Sequence, residues 1–585
     1  MSPEVKQCQN CKTPFTIEPD DFAFYEKIKV PPPTWCPECR MIRRFVFRNE
    51  RHLFRRKDDV TGEEIFSGFS PQVQEKVYER DYWWSDAWDP MHYGRDYDFS
   101  RPFFDQFREL MHDVPRPSRN IVNLINSDYS NQAGYLKNCY LCFDLNRAED
   151  SAYLVHSYDQ KDCFDVTDSM RGELNYDDLA VNDCFRTMFS YGCEGCHNLW
   201  FSRNCTGCSD CFGCTNLRRK QYHIFNRPYT KEAYFEELKR LGLGSFSALT
   251  RLQEKVGKAW LGAPYRFMLG WHNVSVTGDW IANSKNVRDS FRVADAEDSR
   301  FCQGLVNGVR DSYDFTVWGN ECERIYEGTE IGMKCRDVRF SLNCWPAVQD
   351  VEYSAECHSC ASLFGCVGLK KKSYCIFNKQ YSKEEYLALR EKVIQHMNSM
   401  PYTDTQGKIY RYGEFFPPEF SPFAYNETIA QDFFPLAREK ALREGYLWRD
   451  PEAREYQTTI DAADLPDHIR DVQDSILKEI IKCASCGKAY LIIQMELEFL
   501  RRMSLPLPRL CVDCRFLERI KHRNAPRFHH RKCKCAGRAD DNGIYQNQTA
   551  HFHGSPHCPN EFETSYAPER PEIVYCEQCY QAEVV

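Results

Sequence analysis

Between residues 116 and 395 the apolar positions do not recur at the 3.6-residue spacing of a helix. A short unit recurs instead: Asn or Asp, then Cys or Val, two variable residues, then a small one. It stands at Asn138-Cys139, Asp162-Cys163 and Asp183-Cys184, and again at Asn286-Val287, Gly308-Val309 and Asp350-Val351. Units of about 20–25 residues, rich in Tyr, Phe, Val and Ser with turn-forming Asn, Asp and Gly, predict stacked β-coils. One position per coil would point inward, so that Cys, Val and Ile fill a ladder-like core.

A larger duplication contains this one. FGCTNLRRKQYHIFNRPYTKEAY closes one half and FGCVGLKKKSYCIFNKQYSKEEY the other, 152 residues on. Each ends in an expected capping helix, with Thr230 as one N-cap and Ser382 with Glu385 as a capping box in the other. Such helices would cover open sheet edges. The run FFDQFRELMHDV is amphipathic, residues 240–270 read as a helical bridge, and 396–435 as an extended Pro- and Phe-rich strap. Ile469, Val472, Ile476 and Ile480 fall on one helical face. The aromatic group Tyr82-Trp83-Trp84 and Trp88 is read as a structural connector.

The predicted class is mainly β with α segments: a duplicated parallel β-solenoid core flanked by small zinc-ribbon or treble-clef modules at both termini. The expected segments are 1–60 (first module with basic flank), 61–115 (aromatic and helical connector) and 116–240 (solenoid half with cap). They continue as 241–270 (bridge), 271–395 (second half with cap), 396–465 (strap), 466–532 (helix plus second module) and 533–585 (a Cys/His module).

The terminal modules are read from their cysteines. Cys8-x2-Cys11 precedes Cys36-x2-Cys39, and Cys483-x2-Cys486 precedes Cys511-x2-Cys514, with the same spacing and a constant offset of 475. Phe15 matches Tyr490, Phe24 matches Phe499, and Arg40 matches Arg515. Two C-x-x-C turns present four sulfurs to one tetrahedral zinc, closing the site to substrate. A module of this size buries too little to fold unaided, and metal binding supplies the deficit. In the tail, Cys558, Cys576 and Cys579 predict a third zinc whose fourth ligand is open among Cys533, Cys535, His551, His553 and His557. A fourth zinc is expected on Cys533, Cys535, His551 and His553. The run Cys193, Cys196, Cys205, Cys208, Cys211 and Cys214 admits core packing or a metal. Core packing is favoured because Cys211 becomes Leu363 in the second copy.

Each paired-knuckle module runs into a basic segment: Arg40, Arg43, Arg44, Arg48, Arg51, Arg55, Arg56 and Lys57 after the first, Arg515, Arg519, Lys521, Arg523, Arg527, Arg531 and Lys532 after the second, with Arg40, Arg43, Arg44, Arg48, Arg515, Arg519, Lys521 and Arg523 as the assigned contacts. Arginine forks suit phosphate and neighbouring aromatics can stack on bases. RNA or a ribonucleoprotein is the expected partner, more than duplex DNA, because no recognition-helix motif is present. The competing explanation pairs these arginines with acidic groups elsewhere in an acidic chain.

Composition narrows the classes. The chain has 585 residues, 31 cysteines and a formal net charge of −9. The length implies several domains, and the acidity excludes a wholly basic nucleic-acid coat. No signal segment and no long apolar run is visible, so a cytoplasmic protein without a membrane span is expected, with cysteines used for metal rather than disulfides. No P-loop, G-x-S-x-G or H-E-x-x-H is present. Asp162, Asp183, Asp311, Asp337 and Asp350 sit in repeat units and read as turn chemistry rather than catalytic acids. No catalytic residue is therefore assigned, and a carbohydrate-active β-helix is the least favoured reading. A protein-interaction scaffold on the solenoid is the alternative to RNA binding.

The pattern Cys-x2-Cys, Phe, then Pro-x-Pro ahead of Cys-x2-Cys-Arg resembles probable zinc-ribbon or treble-clef domains. Over most of its length the chain is similar to a group of uncharacterised bacterial proteins, on KNCYLCFD, YCIFNKQYSKEEY, YGEFFPPEFSPFAYNE and YAPERPEIVYCEQCY. The resemblance implies zinc at the knuckle cysteines and no particular activity.

Overall fold

A computed structural model describes residues 2–585 apart from 307, 320–321, 330–331, 333–337, 341, 343–348 and 451–456. Asp337 lies outside the described residues. The chain is mixed α/β with many strands and divides into two compact units. One comprises 1–119, 268–450 and 525–527, the other 120–267, 451–524 and 528–585. The linear segments thus regroup: each unit joins one half of the central duplication to one paired-knuckle module.

The second unit carries the clearer ladder. Its strands, from Ile121–Ile125 to Gln221–Ile224, pair in parallel, and each residue faces the one twelve positions later, as in Tyr158 with Met170 and Phe185 with His197. The rung is therefore twelve residues, not 20–25. The longer spacing arises because 24 residues span two rungs, and only some rungs carry the Asn/Asp-Cys pair. Every third residue, from Asn138 through Leu141, Asp144 and Arg147 to Asp168, is left-handed. The residue after each corner is buried: Cys139, Cys142, Leu145, Ala148, Ser151, Leu154 and so on. Asn and Asp accept the left-handed region at low cost, which places them at corners. Asp162, Asp183, Asp311 and Asp350 all occupy such positions, with φ near 50°. Bulky corners recover their strain by stacking on the next rung, as Phe189 does on Phe201, 4.7 Å between centroids.

The inner column is only partly apolar because it has a second task. Inner backbone N–H groups are met by the side chain one rung below: Cys163 N donates to Ser151 Oγ (3.0 Å), Val181 N to Ser169 Oγ (3.1 Å) and Thr187 N to Asn175 Oδ1 (3.0 Å). Sulfur serves equally, Cys208 N donating to Cys196 Sγ at 3.4 Å. The run Cys193 to Cys214 belongs to this column. Its thiols are buried and lean on carbonyls of the same and adjacent rungs, as Cys193 does on Ser202. Among the described residues it forms no set of converging metal donors.

The first unit repeats the pattern from Gly278–Ala282 to Ser373–Ile376, again at twelve-residue register in Gln349 with Ala361. Gln303, Thr316, Thr329 and Leu342 instead face one another at thirteen. The amphipathic helix Phe103–Asp113 lays Phe103, Phe104 and Phe107 against Tyr353, Phe364 and Phe416. Trp83 and Trp84 enclose His358, and Lys370 lies over the Trp83 ring at 4.3 Å.

Both capping helices form. Lys231–Leu241 starts at Thr230, which accepts from Ala233 N, and sets Tyr234 against Tyr222 of the last rung. Lys383–Ser399 starts with the Ser382/Glu385 capping box and sets Tyr386 against Tyr374. The bridge is helical over Phe246–Leu261. The expected helix at 469–480 is replaced by two 3-10 turns, Ile469–Asp471 and Asp474–Lys478. Ile469, Val472 and Ile476 are buried as predicted. Their spacing fits either geometry, and the hydrogen bonds run three residues back (Val472 N to Ile469 O, Ile476 N to Gln473 O) rather than four.

Changing Ser151 to Ala orphans the Cys163 N–H and should cost about 1–3 kcal/mol, the penalty of an unmet buried donor. Ser151→Cys should cost clearly less, since sulfur fills that role at Cys196. Equal denaturation midpoints for the two variants would refute this account of the inner column.

Candidate metal centres and arginine clamps

In each paired-knuckle module a short hairpin supplies one cysteine pair and a helix N-terminus the other. Cys8 and Cys11 follow the strand Glu4–Gln7; Cys36 caps the helix Pro37–Phe45 and Cys39 lies in its first turn. Cys483 and Cys486 follow Ile481–Lys482; Cys511 caps Val512–Ile520 with Cys514 inside. Each quartet has its sulfurs within 4.8 Å of one another, close enough to hold one metal ion. Sulfurs on a tetrahedral zinc with 2.3 Å bonds stand about 3.8 Å apart; Cys11 and Cys36 are at 3.8 Å and Cys486 and Cys511 at 3.6 Å.

The surroundings favour thiolate. Cys36 N donates to Cys8 Sγ and Cys511 N to Cys483 Sγ, each at 3.2 Å, at equivalent positions. Helix N-termini add positive potential. Burial opposes ionisation of Cys483, but the N–H groups of Cys486, Cys511 and Ser485 bring it down to about 6. Cys514 is pushed up to about 11, first by burial and then by its neighbouring thiols. Within this quartet Cys483 is held down while burial pushes Cys511 and Cys514 up, a balance that a cation among the sulfurs would tip toward thiolate.

The tail module holds two further donor groups. Cys533, Cys558, Cys576 and Cys579 converge, and so do Cys535, His551, His553 and Cys579. Cys533, one of the candidates for the fourth ligand, thus completes the group with Cys558 rather than the one with Cys535. The reason is local: Cys533 and Cys535 are only two apart, and Cys576 N donates to Cys533 Sγ at 3.2 Å. His557 belongs to neither group.

The basic flanks are a correction to the sequence expectation. Arg40, Arg43, Arg44, Arg48, Arg515, Arg519 and Arg523 are buried and paired with carboxylates of their own unit, so they present no open face to phosphate. In the first unit Asp314 accepts from Arg40 Nε (3.0 Å) and Arg44 Nη1 (3.1 Å), and Thr316 accepts from Arg44 Nε (2.7 Å). Arg43 bridges Glu327 (2.5 Å) and Glu414 (2.9 Å), and Arg48 pairs with Glu50. In the second unit Asp165 accepts from Arg515 (2.6 Å) and Arg519 (3.0 Å), Thr167 from Arg519 Nε (3.3 Å), Glu496 from Arg515 (2.8 Å), and Asp168 from Arg523 (3.2 Å). Lys521 alone of the eight is well exposed, and it pairs with Glu518.

Arg40 and Arg44 match Arg515 and Arg519 at the 475 offset, and their acceptors Asp314 and Thr316 match Asp165 and Thr167. The same clamp is built twice. A charge buried alone is prohibitive, so each helix seats only where its ladder presents these carboxylates.

Beside each clamp lies an open groove, also duplicated. In the second unit it is about 730 Å³, lined by Asn138, Asp150, Asp162, Phe164, Phe499 and Arg502. In the first, at about 260 Å³, Asn286, Asp298, Asp311, Tyr313, Phe24 and Lys27 take the same places. Corner side chains form a hydrogen-bonded column along it: Asn138 donates to Asp150 (2.9 Å) and Asn286 to Asp298 (2.6 Å). The wall cation is held by the last acid, Arg502 by Asp162 (3.2 Å) and Lys27 by Asp311. Sequence reasoning passed over these grooves because their two walls lie hundreds of residues apart.

No protein-family model matches this chain, and no curated protein matches it in sequence. No helix among the described residues is long and apolar enough to cross a membrane.

Asp165→Ala or Asp314→Ala removes the carboxylate shared by two buried arginines and should destabilise the corresponding unit by about 3–5 kcal/mol, read as a lowered melting transition. A shift under about 1 kcal/mol in both variants would mean the pairs do not seat the helices.

Proposed function

We propose that the chain is a zinc-stabilised scaffold without catalytic machinery, which binds a protein partner along its two grooves. Each ladder is then one half of a duplicated β-solenoid, and each paired-knuckle module a zinc-ribbon or treble-clef element fastened to it. The observation that carries this reading is the repeated groove: corresponding residues rebuild the same acidic, aromatic-walled channel on both ladders. An Asn/Asp column offers evenly spaced acceptors to an extended protein segment rich in hydrogen-bond donors, a mode natural to repeat architectures.

Four-thiolate sites leave no open coordination position for substrate, which supports a structural role for the metal. Corner carboxylates such as Asp183, held by Arg171 at 2.7 Å, are engaged with neighbouring rungs. Seven of the eight residues assigned to RNA or ribonucleoprotein binding are buried in ion pairs, which favours the protein-partner reading. The resemblance to uncharacterised bacterial zinc-ribbon proteins supports the metal assignment and adds no activity.

Affinity capture of the full chain, with and without nuclease, tests the proposal. The expected result is one dominant protein partner, retained after nuclease and lost when Asp150→Lys and Asp298→Lys are combined. Nuclease-sensitive capture, or nucleic-acid binding that falls steeply with salt, would instead establish the RNA reading.

A further inference from the structure

The tail module contains seven converging donors, and the arrangement does not divide into two independent sites. Cys579 Sγ belongs to both groups: it lies within 4.8 Å of the donors of Cys533, Cys558 and Cys576, and equally of Cys535, His551 and His553. Two separate tetrahedral ions would need eight ligands. A thiolate sulfur keeps lone pairs enough to join two cations, whereas an imidazole nitrogen has only one. The shared donor is the one residue type able to be shared.

Distances support both tetrahedra. On zinc, sulfur–sulfur edges are about 3.8 Å and sulfur–nitrogen edges about 3.5 Å, from bonds of 2.3 and 2.0–2.1 Å. Cys558 Sγ to Cys576 Sγ is 3.8 Å, on the first side. Cys535 Sγ to His551 Nδ1 is 3.5 Å, and Cys579 Sγ to His553 Nε2 is 3.4 Å, on the second.

The outer partners fit as well. Both histidines point one ring nitrogen at the sulfurs and have the other held by an acceptor. His551 Nε2 meets Glu583 at 3.2 Å with both side chains fully buried, and His553 Nδ1 meets the Pro556 carbonyl at 2.8 Å. That arrangement orients metal-binding imidazoles and sets their tautomer. Five thiolates against two dications leave one surplus negative charge. Donors are aimed at sulfur to spread it: Asn547 Nδ2 at Cys535 and Asn560 Nδ2 at Cys576, both 3.3 Å, with the Cys579 N–H on Cys576 at 3.5 Å. Cys576 caps the helix Glu577–Val584, so the bridging position lies in its first turn.

We infer that Cys579 is a bridging thiolate in a two-metal cluster: one ion on Cys533, Cys558, Cys576 and Cys579, the other on Cys579, Cys535, His551 and His553. Each ion displaces the remaining thiol protons to solvent, without redox chemistry. The inference rests on the wider reading that the thiolate groups of this chain hold zinc.

Metal content of the full chain and its cobalt(II) form test it together. The expected chain carries about four ions: one in each paired-knuckle module and two in the tail. His551→Ala with His553→Ala should retain about three, and Cys579→Ser about two. In the cobalt form, two ions joined through sulfur couple antiferromagnetically, so about half of the spins should be missing from the paramagnetic signal. Removing the histidine pair should restore isolated-ion behaviour to all that remain. Three ions in the unaltered chain, uncoupled cobalt, or loss of a single ion in Cys579→Ser would each overturn the bridge while leaving zinc in the paired-knuckle modules intact. A chain empty of metal would overturn the wider reading and the bridge together. The spin measurement on the unaltered chain decides the matter even if Cys579→Ser fails to fold.

Discussion

A guanidinium cannot be buried without a carboxylate to receive it, and this requirement organises both units. Asp165 and Asp314 sit at corners of their ladders at zero exposure and are tolerable there only because two arginines reach each of them. Those arginines project from a helix whose first turn carries half of a cysteine quartet. Cysteine quartet, helix and ladder are consequently one mechanical element. The sulfurs set where the helix begins, the helix aims the arginines, and the arginines choose the rung.

The two units show how much of this element was copied together. Knuckles, helix, arginines, acceptor acids and the adjacent groove all recur in corresponding places. One difference is instructive. The position matching Arg43 holds Glu518, which is exposed and pairs with Lys521, so the additional Arg43 bridge to Glu327 and Glu414 belongs to the first unit alone. Duplication preserved the pair of arginines that meets the ladder and left the third position to diverge.

Several parts were legible before the structure. The knuckles, both duplications, the capping helices and the amphipathic run at 103–113 announce themselves by spacing or by local chemistry. The twelve-residue rung did not. Its inner column accepts Cys, Ser, Val, Leu, Asn and Asp alike, because side chains there either fill space or receive an N–H, and no hydrophobic rhythm survives that mixture. The fate of the arginines was hidden for another reason: Asp314 is 274 residues from Arg40 and Asp165 is 350 from Arg515. A basic run bordered by aromatics looks the same whether its partner is phosphate or a distant part of the same chain. In the tail, adjacency misled. Cys533 and Cys535 read as a pair, yet one intervening residue sends them to different donor groups.

The twelve-residue register also governs how such a chain can change in length. Inner N–H groups such as those of Cys163, Val181 and Thr187 are answered by a side chain one layer below, so adding or deleting a whole layer keeps the column in phase. Shorter insertions shift the column out of phase. The pairings of Gln303 with Thr316, Thr316 with Thr329 and Thr329 with Leu342, each thirteen apart, show that a single extra residue per layer can be carried through several layers in succession. Growth of this architecture is therefore quantised, with a second, slightly longer step available where layers lengthen in concert.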